Sequence, residues 1–423
     1  MNHFQRGPCG ELFAEEVPLA QIADEVGTPA YVYSRATLER HYQVFDDAWA
    51  DQPHLVCYAM KALSNLAVVQ LLAQLGAGFD IVSRGELARV MAAGGDPGKI
   101  VFSGVGKRRD EMAAALEAGI KCFNVESEAE MRHLDEVARA HGTIAPMSLR
   151  INPNVDPKTH PYISTGLAKN KFGIPQDRAR RLYAEAAERP GLNVVGLDYH
   201  IGSQLSEVEP MVEACRRVLG LMRVLGEDGH HLQHLDVGGG LGITYRDEAP
   251  PSPAEYAATL KRELAAAGYS EMTIVTEPGR VIVGNAGIML MRVLLTKDNG
   301  AKRFAVVDGA MNDNIRPTLY DAYQRIEPVG ATDSSSPTAV DVVGPVCESG
   351  DFFARDRELP PIEEGDLLAM RGAGAYGFVM SSNYNSRPRP PEVLVHGARY
   401  TIVRQRESLE DLWRGESLLD TER

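Results

Sequence analysis

The chain has no paired cysteines, no surplus of positive charge and no long apolar run, and each shortage removes a class of protein. Its five cysteines, Cys9, Cys57, Cys122, Cys215 and Cys347, are odd in number and scattered, with no Cys-x-x-Cys. That usage fits a reducing cytoplasm, and it fits neither a disulfide scaffold nor a zinc site, so no metal is expected. Lys and Arg number 44 against 58 Asp and Glu, a formal net charge of −14. Nucleic-acid binding needs a basic face, so no such partner is expected, and the acidity reads as a solubility feature. The best candidate for a membrane span, Ala286 to Leu295, is short and broken by Arg292. Met1 to Arg6 leads into Pro, Gly and Glu instead of an apolar stretch, so neither a secretory signal nor a membrane partner is expected.

What is present is a large soluble core. At 423 residues, 44% hydrophobic and 24% charged, the chain is expected to hold about two or three domains. From about residue 30 to residue 285, short apolar runs alternate with segments rich in Ala, Leu, Glu and Arg. The runs 55–60, 78–82, 100–103, 121–125, 147–151, 194–199, 233–237 and 273–276 are candidate strands. Helical patterns lie between them, among them Arg84 to Ala93, Arg109 to Ala118, Ala129 to Ala140, Arg178 to Glu188, Val208 to Leu225 and Pro253 to Ala267. Ser83 with Glu86 and Ser127 with Glu130 have the spacing of capping boxes. Eight strand–helix repeats predict an α/β fold, a (β/α)8 barrel over 31–285. The competing open doubly wound sheet lacks its Gly-x-Gly-x-x-Gly at the first strand–helix turn. After Gly287 the texture changes. Arg303–Val307, Ala339–Val343, Asp366–Met370 and Pro391–Val395 are short runs split by Gly, Pro, Ser and Asn, which predicts an antiparallel β domain. Gly330 to Thr338 and Ser386 to Pro391 read as loops, and the tail from Glu407 as an exposed helix.

Lys61 closes the apolar run Leu55 to Met60. A lysine there either snorkels to water or, desolvated, becomes an amine nucleophile of the kind that forms Schiff bases. Barrels carry their chemistry at the C-terminal ends of strands. There the chain places Lys61, Asp80, Asp198-Tyr199-His200-Ile201-Gly202-Ser203, Asp236-Val237-Gly238-Gly239-Gly240 and Thr276-Glu277-Pro278-Gly279-Arg280. Singly, each has an ordinary reading: a tight turn, a core histidine, a Glu277–Arg280 pair. Together they supply backbone N–H groups for a phosphate, an imidazole to stack on a ring, a carboxylate for a pyridine nitrogen and a lysine for an aldehyde. Those are the parts of a pyridoxal phosphate site.

Tyr58-Ala59-Met60-Lys61-Ala62, His200-Ile201-Gly202-Ser203-Gln204, Gly238-Gly239-Gly240 and Glu277-Pro278-Gly279-Arg280 resemble the motifs of the alanine-racemase-fold pyridoxal phosphate decarboxylases, which act on ornithine, arginine or diaminopimelate. Lys158 to Gly166, Arg316-Pro317-Thr318-Leu319-Tyr320-Asp321-Ala322-Tyr323 and Gly344-Pro345-Val346-Cys347-Glu348-Ser349-Gly350-Asp351 resemble the diaminopimelate branch. Met60 and Val346 depart from the residues many relatives carry there, without touching a chemical role.

The resemblance implies a barrel plus a β domain built from residues 1–30 and 286–423. It implies that Lys61 bonds to the cofactor aldehyde, that His200 stacks on the ring and that Glu277 contacts the ring nitrogen. Asp80 is a further expected cofactor neighbour. Ser203, Gly239, Gly240, Gly279 and Arg280 would hold the phosphate. Arg280, Arg316 and Tyr320 would bind substrate, and Tyr376 would contact both cofactor and substrate. Cys347 would be the proton donor and Glu348 the reader of the distal amino acid group, both supplied by the partner subunit of a homodimer.

The implied reaction converts meso-2,6-diaminopimelate to L-lysine and carbon dioxide, the last step of lysine biosynthesis. A thiol, with an ordinary pKa of about 8.5, can act as a general acid near neutrality. A distal ammonium beside a carboxylate calls for one anion and paired arginines, which suits Glu348 with Arg280 and Arg316. The rivals are a decarboxylase of ornithine, arginine or a carboxylated polyamine, a racemase, which Glu277 disfavours, and a cofactor-free regulatory homologue, which should have lost Lys61 or Cys347.

Overall fold

Each of the eight apolar runs is a strand in the computed structural model, which describes residues 2–156, 165–167, 170–331 and 336–420. They are β1 (His54–Ala59), β2 (Gly78–Ile81), β3 (Ile100–Phe102), β4 (Cys122–Val125), β5 (Ala145–Asn152), β6 (Leu192–Asp198), β7 (His234–Asp236) and β8 (Thr273–Thr276). Consecutive strands pair in parallel, and β8 returns to β1 with Ile274 opposite His54. The ring is therefore closed, which excludes the open-sheet alternative. Parallel strands enclosed on both faces read as continuous apolar runs, and these strands are buried almost throughout. Cys57, Val101, Cys122, Val195 and Val275 form one apolar layer of the barrel. Burial pushes the Cys57 thiol well above its ordinary pKa and the Cys122 thiol to about 12, so both behave as small hydrophobes.

Helices follow the strands with bounds within a few residues of the expected ones, and Leu66–Gln74 adds one after β1. Two caps differ in detail from a capping box. Ser83 and Ser127 accept from the backbone N–H groups of Glu86 and Glu130, as expected. The return bonds, however, run to Val82 and Glu126, one residue before each cap. A reciprocal box forms instead at Ser252 and Glu255, where Pro253 fixes the first helical position.

The chain divides into two units, Leu38–Val283, which contains the barrel, and Met1–Thr37 with Gly284–Arg423. In the second, the apolar segment considered as a membrane span is, from Gly287 on, the greater part of a long strand, Gly287–Asp298. It pairs antiparallel with Ala30–Ser34, Arg303–Val307 and Leu367–Met370. The sheet is antiparallel for the most part, with two parallel pairs, Arg303–Val307 with Thr338–Val343 and Ala30–Ser34 with Glu392–His396. Its core packs Val32, Ile288, Leu290, Val393 and Val395 against Leu19 and Ile22 of the helix Leu19–Val26. The expected C-terminal helix is absent among the described residues. The tail forms only one short turn, Glu410–Trp413, because Arg414 and Gly415 leave helical geometry. Residues 158–164 of the diaminopimelate-like segment and 332–335 of the polar loop lie outside the described residues. Among the described residues no helix is long and apolar enough to cross a membrane.

Candidate active site

Strand ends bring the barrel's candidate residues to one rim. Lys61 lies in a single 3-10 turn, Met60–Ala62, directly after β1. Its ammonium pairs with the Asp80 carboxylate, carried by the neighbouring β2 in register with Ala59. The lysine side chain is 39% exposed and Asp80 is fully buried. Lys61 is thus an ion-paired amine on the rim that reaches water, the first of the two readings of the apolar run, and it is not fully desolvated.

Glu277 follows β8 and is buried. Its Oε1 accepts from Ser103 Oγ at 3.1 Å and from Asn124 Nδ2 at 3.4 Å. Asp198 and Asp236, the last residues of β6 and β7, present carboxylate oxygens that lie with one of Glu277 within 4.8 Å of one another. Burial, reinforced by Asp236 and Asp80, raises the Glu277 pKa well above the carboxylate range, while Lys61 and Arg150 oppose the rise. Burial likewise raises Asp198 and Asp236. Asn124 links the group. It donates to Ser103, Asp236 and Glu277, and its own Oδ1 accepts from Ser148 at 2.7 Å, which fixes the amide orientation. Arg150 supplies positive charge, 3.0 Å from Glu126 and 4.0 Å from Asp198.

The loops after β6, β7 and β8 form a backbone cradle. A Cβ at Gly239 would lie 2.0 Å from the Glu277 carbonyl oxygen. Gly240 has φ +103, and a Cβ there would lie 2.2 Å from the Gly202 carbonyl oxygen. The Gly239 N–H donates to His200 Nδ1 at 3.2 Å, which assigns the histidine proton to Nε2. Burial, then Arg150 and Lys61, hold His200 well below its ordinary pKa, so the ring is neutral. Arg280 does not pair with Glu277. It donates to Ser203 Oγ at 3.0 Å and to the Tyr245 hydroxyl at 2.7 Å. Gly279 sits against Ala59 and Ala62, where a Cβ would come within 3.1 Å of both.

These residues fit pyridoxal phosphate. The glycine cradle, Ser203 and Arg280 suit an anion, His200 offers a neutral ring face, and Glu277 is a buried carboxylate for the ring nitrogen. Tyr245, Asn124, Ser103 and Arg150 belong to the same constellation and went unrecognised in the sequence. Asn124 and Arg150 sit inside strands β4 and β5, where a buried polar residue was the available signal.

The second unit carries its own candidates. The helix Arg316–Tyr320 carries Arg316, which is buried, and Tyr320, which is half-buried. Thr318 within it donates to the Gly350 carbonyl at 2.5 Å, tying the helix to the loop that exposes Cys347 and Glu348. Tyr376 stands half-buried with a left-handed φ of 56°.

Gly239→Ala tests the cradle. The loop must swing away from the Glu277 carbonyl, at a cost of about 1–3 kcal/mol. Pyridoxal phosphate affinity, followed by fluorescence titration, is expected to fall about tenfold or more with the circular dichroism spectrum unchanged; unaltered affinity would remove the cradle from cofactor binding.

Residues 35–284 match the family model described as the pyridoxal-dependent decarboxylase, pyridoxal binding domain. The chain is 56% identical to the diaminopimelate decarboxylase of Vibrio cholerae over 419 residues, covering 99% of this chain and 100% of that one. It is 57% identical to the Pseudomonas aeruginosa diaminopimelate decarboxylase over 409 residues, 97% of each chain. The crystal structure of diaminopimelate decarboxylase from Helicobacter pylori complexed with L-lysine is 42% identical, with a TM-score of 0.90 over 94% of this chain and 98% of that one. A closed barrel whose rim suits pyridoxal phosphate, and full-length identities of this size, place the chain among the pyridoxal-dependent decarboxylases, in the diaminopimelate decarboxylase family.

Proposed function

We propose that the protein decarboxylates meso-2,6-diaminopimelate to L-lysine and carbon dioxide, using pyridoxal phosphate, as the last step of lysine biosynthesis. The observation that carries this reading is the convergence of Lys61, His200, Gly239, Glu277 and Arg280 on one barrel rim, in a chain so similar to diaminopimelate decarboxylases along its whole length. When bound, the cofactor supplies an electron sink for the pair left by the departing carboxylate. The chain's own residues do the rest. Lys61 provides the amine that anchors the cofactor and that substrate displaces. Arg280, Ser203 and the backbone of the Gly239–Gly240 turn bind the phosphate. His200 packs on the ring. Glu277 holds a proton on the ring nitrogen, where a neighbouring cation offsets the cost of an anion buried beside Asp236 and Asp80.

Arg280 and Arg316 bind the substrate's distal carboxylate, Tyr320 also contacts substrate, Glu348 takes the distal ammonium, and Tyr376 contacts both cofactor and substrate. Cys347 returns a proton to the carbon that lost carbon dioxide. Cys347 and Glu348 serve the barrel of a second copy, so the working enzyme is a homodimer with shared sites. Their exposure in the single chain supports that arrangement. Scattered free thiols support a cytoplasmic location.

Turnover with meso-diaminopimelate against L-ornithine, read as lysine or putrescine formed, tests the substrate. Lysine formation should dominate; preference for ornithine sinks the assignment and favours the diamine-forming reading.

Sharing of sites is tested by mixing two dead enzymes. Lys61→Ala and Cys347→Ala are each expected to be inactive, yet refolded together they should recover about a quarter of the wild-type rate, since half the dimers then hold one intact site. A mixture no more active than its parts would place both residues of each site on one chain.

A further inference from the structure

The loop that carries Cys347 and Glu348 is held from two sides. On one side is Asp351. Its Oδ1 accepts from the Met311 N–H and its Oδ2 from the Val346 N–H, each at 2.7 Å. Gly344 packs so closely on this carboxylate that a Cβ there would lie 2.4 Å from Oδ2. These bonds fix the ends of the loop and leave the two side chains between them exposed.

The second hold comes from Asn385. Asn385 has φ 56° and ψ 29°, left-handed backbone that Asn tolerates better than most residues with a Cβ. In that conformation its Oδ1 accepts the Cys347 N–H at 3.3 Å. The segment that carries Asn385 is itself anchored. Asn383 Nδ2 donates to the Arg387 carbonyl at 3.0 Å and to Glu407 at 2.7 Å, and Arg387 Nε donates to Asn312 Oδ1 at 3.1 Å.

We infer that Asn385 is a positioning residue for the reaction, its side chain setting the backbone that aims the Cys347 thiol. The inference rests on the role given above to Cys347. Loss of the Asn385 acceptor should slow proton return without weakening substrate binding.

Asn385→Gly keeps the left-handed backbone and removes the acceptor. In the holoenzyme it is expected to lower kcat about tenfold with KM for meso-diaminopimelate within about twofold. Hydrogen exchange at the Cys347 amide should quicken in Asn385→Gly and stay slow in Asn385→Asp, which keeps an acceptor. Wild-type kcat in Asn385→Gly would overturn the inference. A fully active Cys347→Ala enzyme would instead fault the role of Cys347. The exchange measurement still judges the Asn385 bond in that case, and unaltered exchange in Asn385→Gly overturns it.

Discussion

The site is organised around the cost of keeping the Glu277 carboxylate inside a barrel that already buries Asp80, Asp198 and Asp236. Four acids in one low-dielectric interior are tolerable only with compensation, because an uncompensated buried charge costs several kcal/mol. The compensation is visible in every direction from Glu277. Lys61 pairs with Asp80, Arg150 lies between Glu126 and Asp198, and Ser103 and Asn124 donate to Glu277 itself. What remains is a carboxylate whose pKa burial pushes well above its ordinary range and which a neighbouring cation would favour as the anion. On the proposed reading, a protonated pyridine nitrogen would be that cation. Parallel strands make the arrangement possible, since the C-terminal ends of three neighbouring strands bring Asp198, Asp236 and Glu277 close together.

The two units carry different kinds of chemistry. The barrel holds charge in a fixed network with few exposed atoms, as suits groups that must not move while electrons are redistributed. The second unit offers the Cys347 thiol and the Glu348 carboxylate on an exposed loop, and rigidity comes from the atoms behind them: Asp351 beneath the loop, Asn385 against the Cys347 amide, the Arg316–Tyr320 helix tied to Gly350.

Much of this was legible in the sequence. Eight apolar runs in strand–helix alternation identify the barrel because parallel strands are buried on both faces, and hydrophobicity alone marks them. Lys61, His200, Gly239, Glu277 and Arg280 stand out as strand-end residues of the required types. The network behind them does not. Asn124 and Arg150 lie on separate strands and Ser103 just past a third, and only ring closure brings them to Glu277. The Lys61–Asp80 pair needed the register of β1 against β2, which places Ala59 opposite Asp80. Tyr245 reaches Arg280 across a loop with no periodicity to reveal it. The C-terminal tail went the other way. Its composition suited a helix, yet with little buried face to hold it, only the turn Glu410–Trp413 forms.

The proposed function is tested most directly at the Glu277 carboxylate. Glu277→Gln keeps the shape and the hydrogen-bond acceptor for Ser103 while removing the charge. Its steady-state turnover of meso-diaminopimelate, measured at saturating pyridoxal phosphate, is predicted to fall about a hundredfold or more, with the cofactor still bound. A Glu277→Gln enzyme that turns over substrate at the wild-type rate would contradict it.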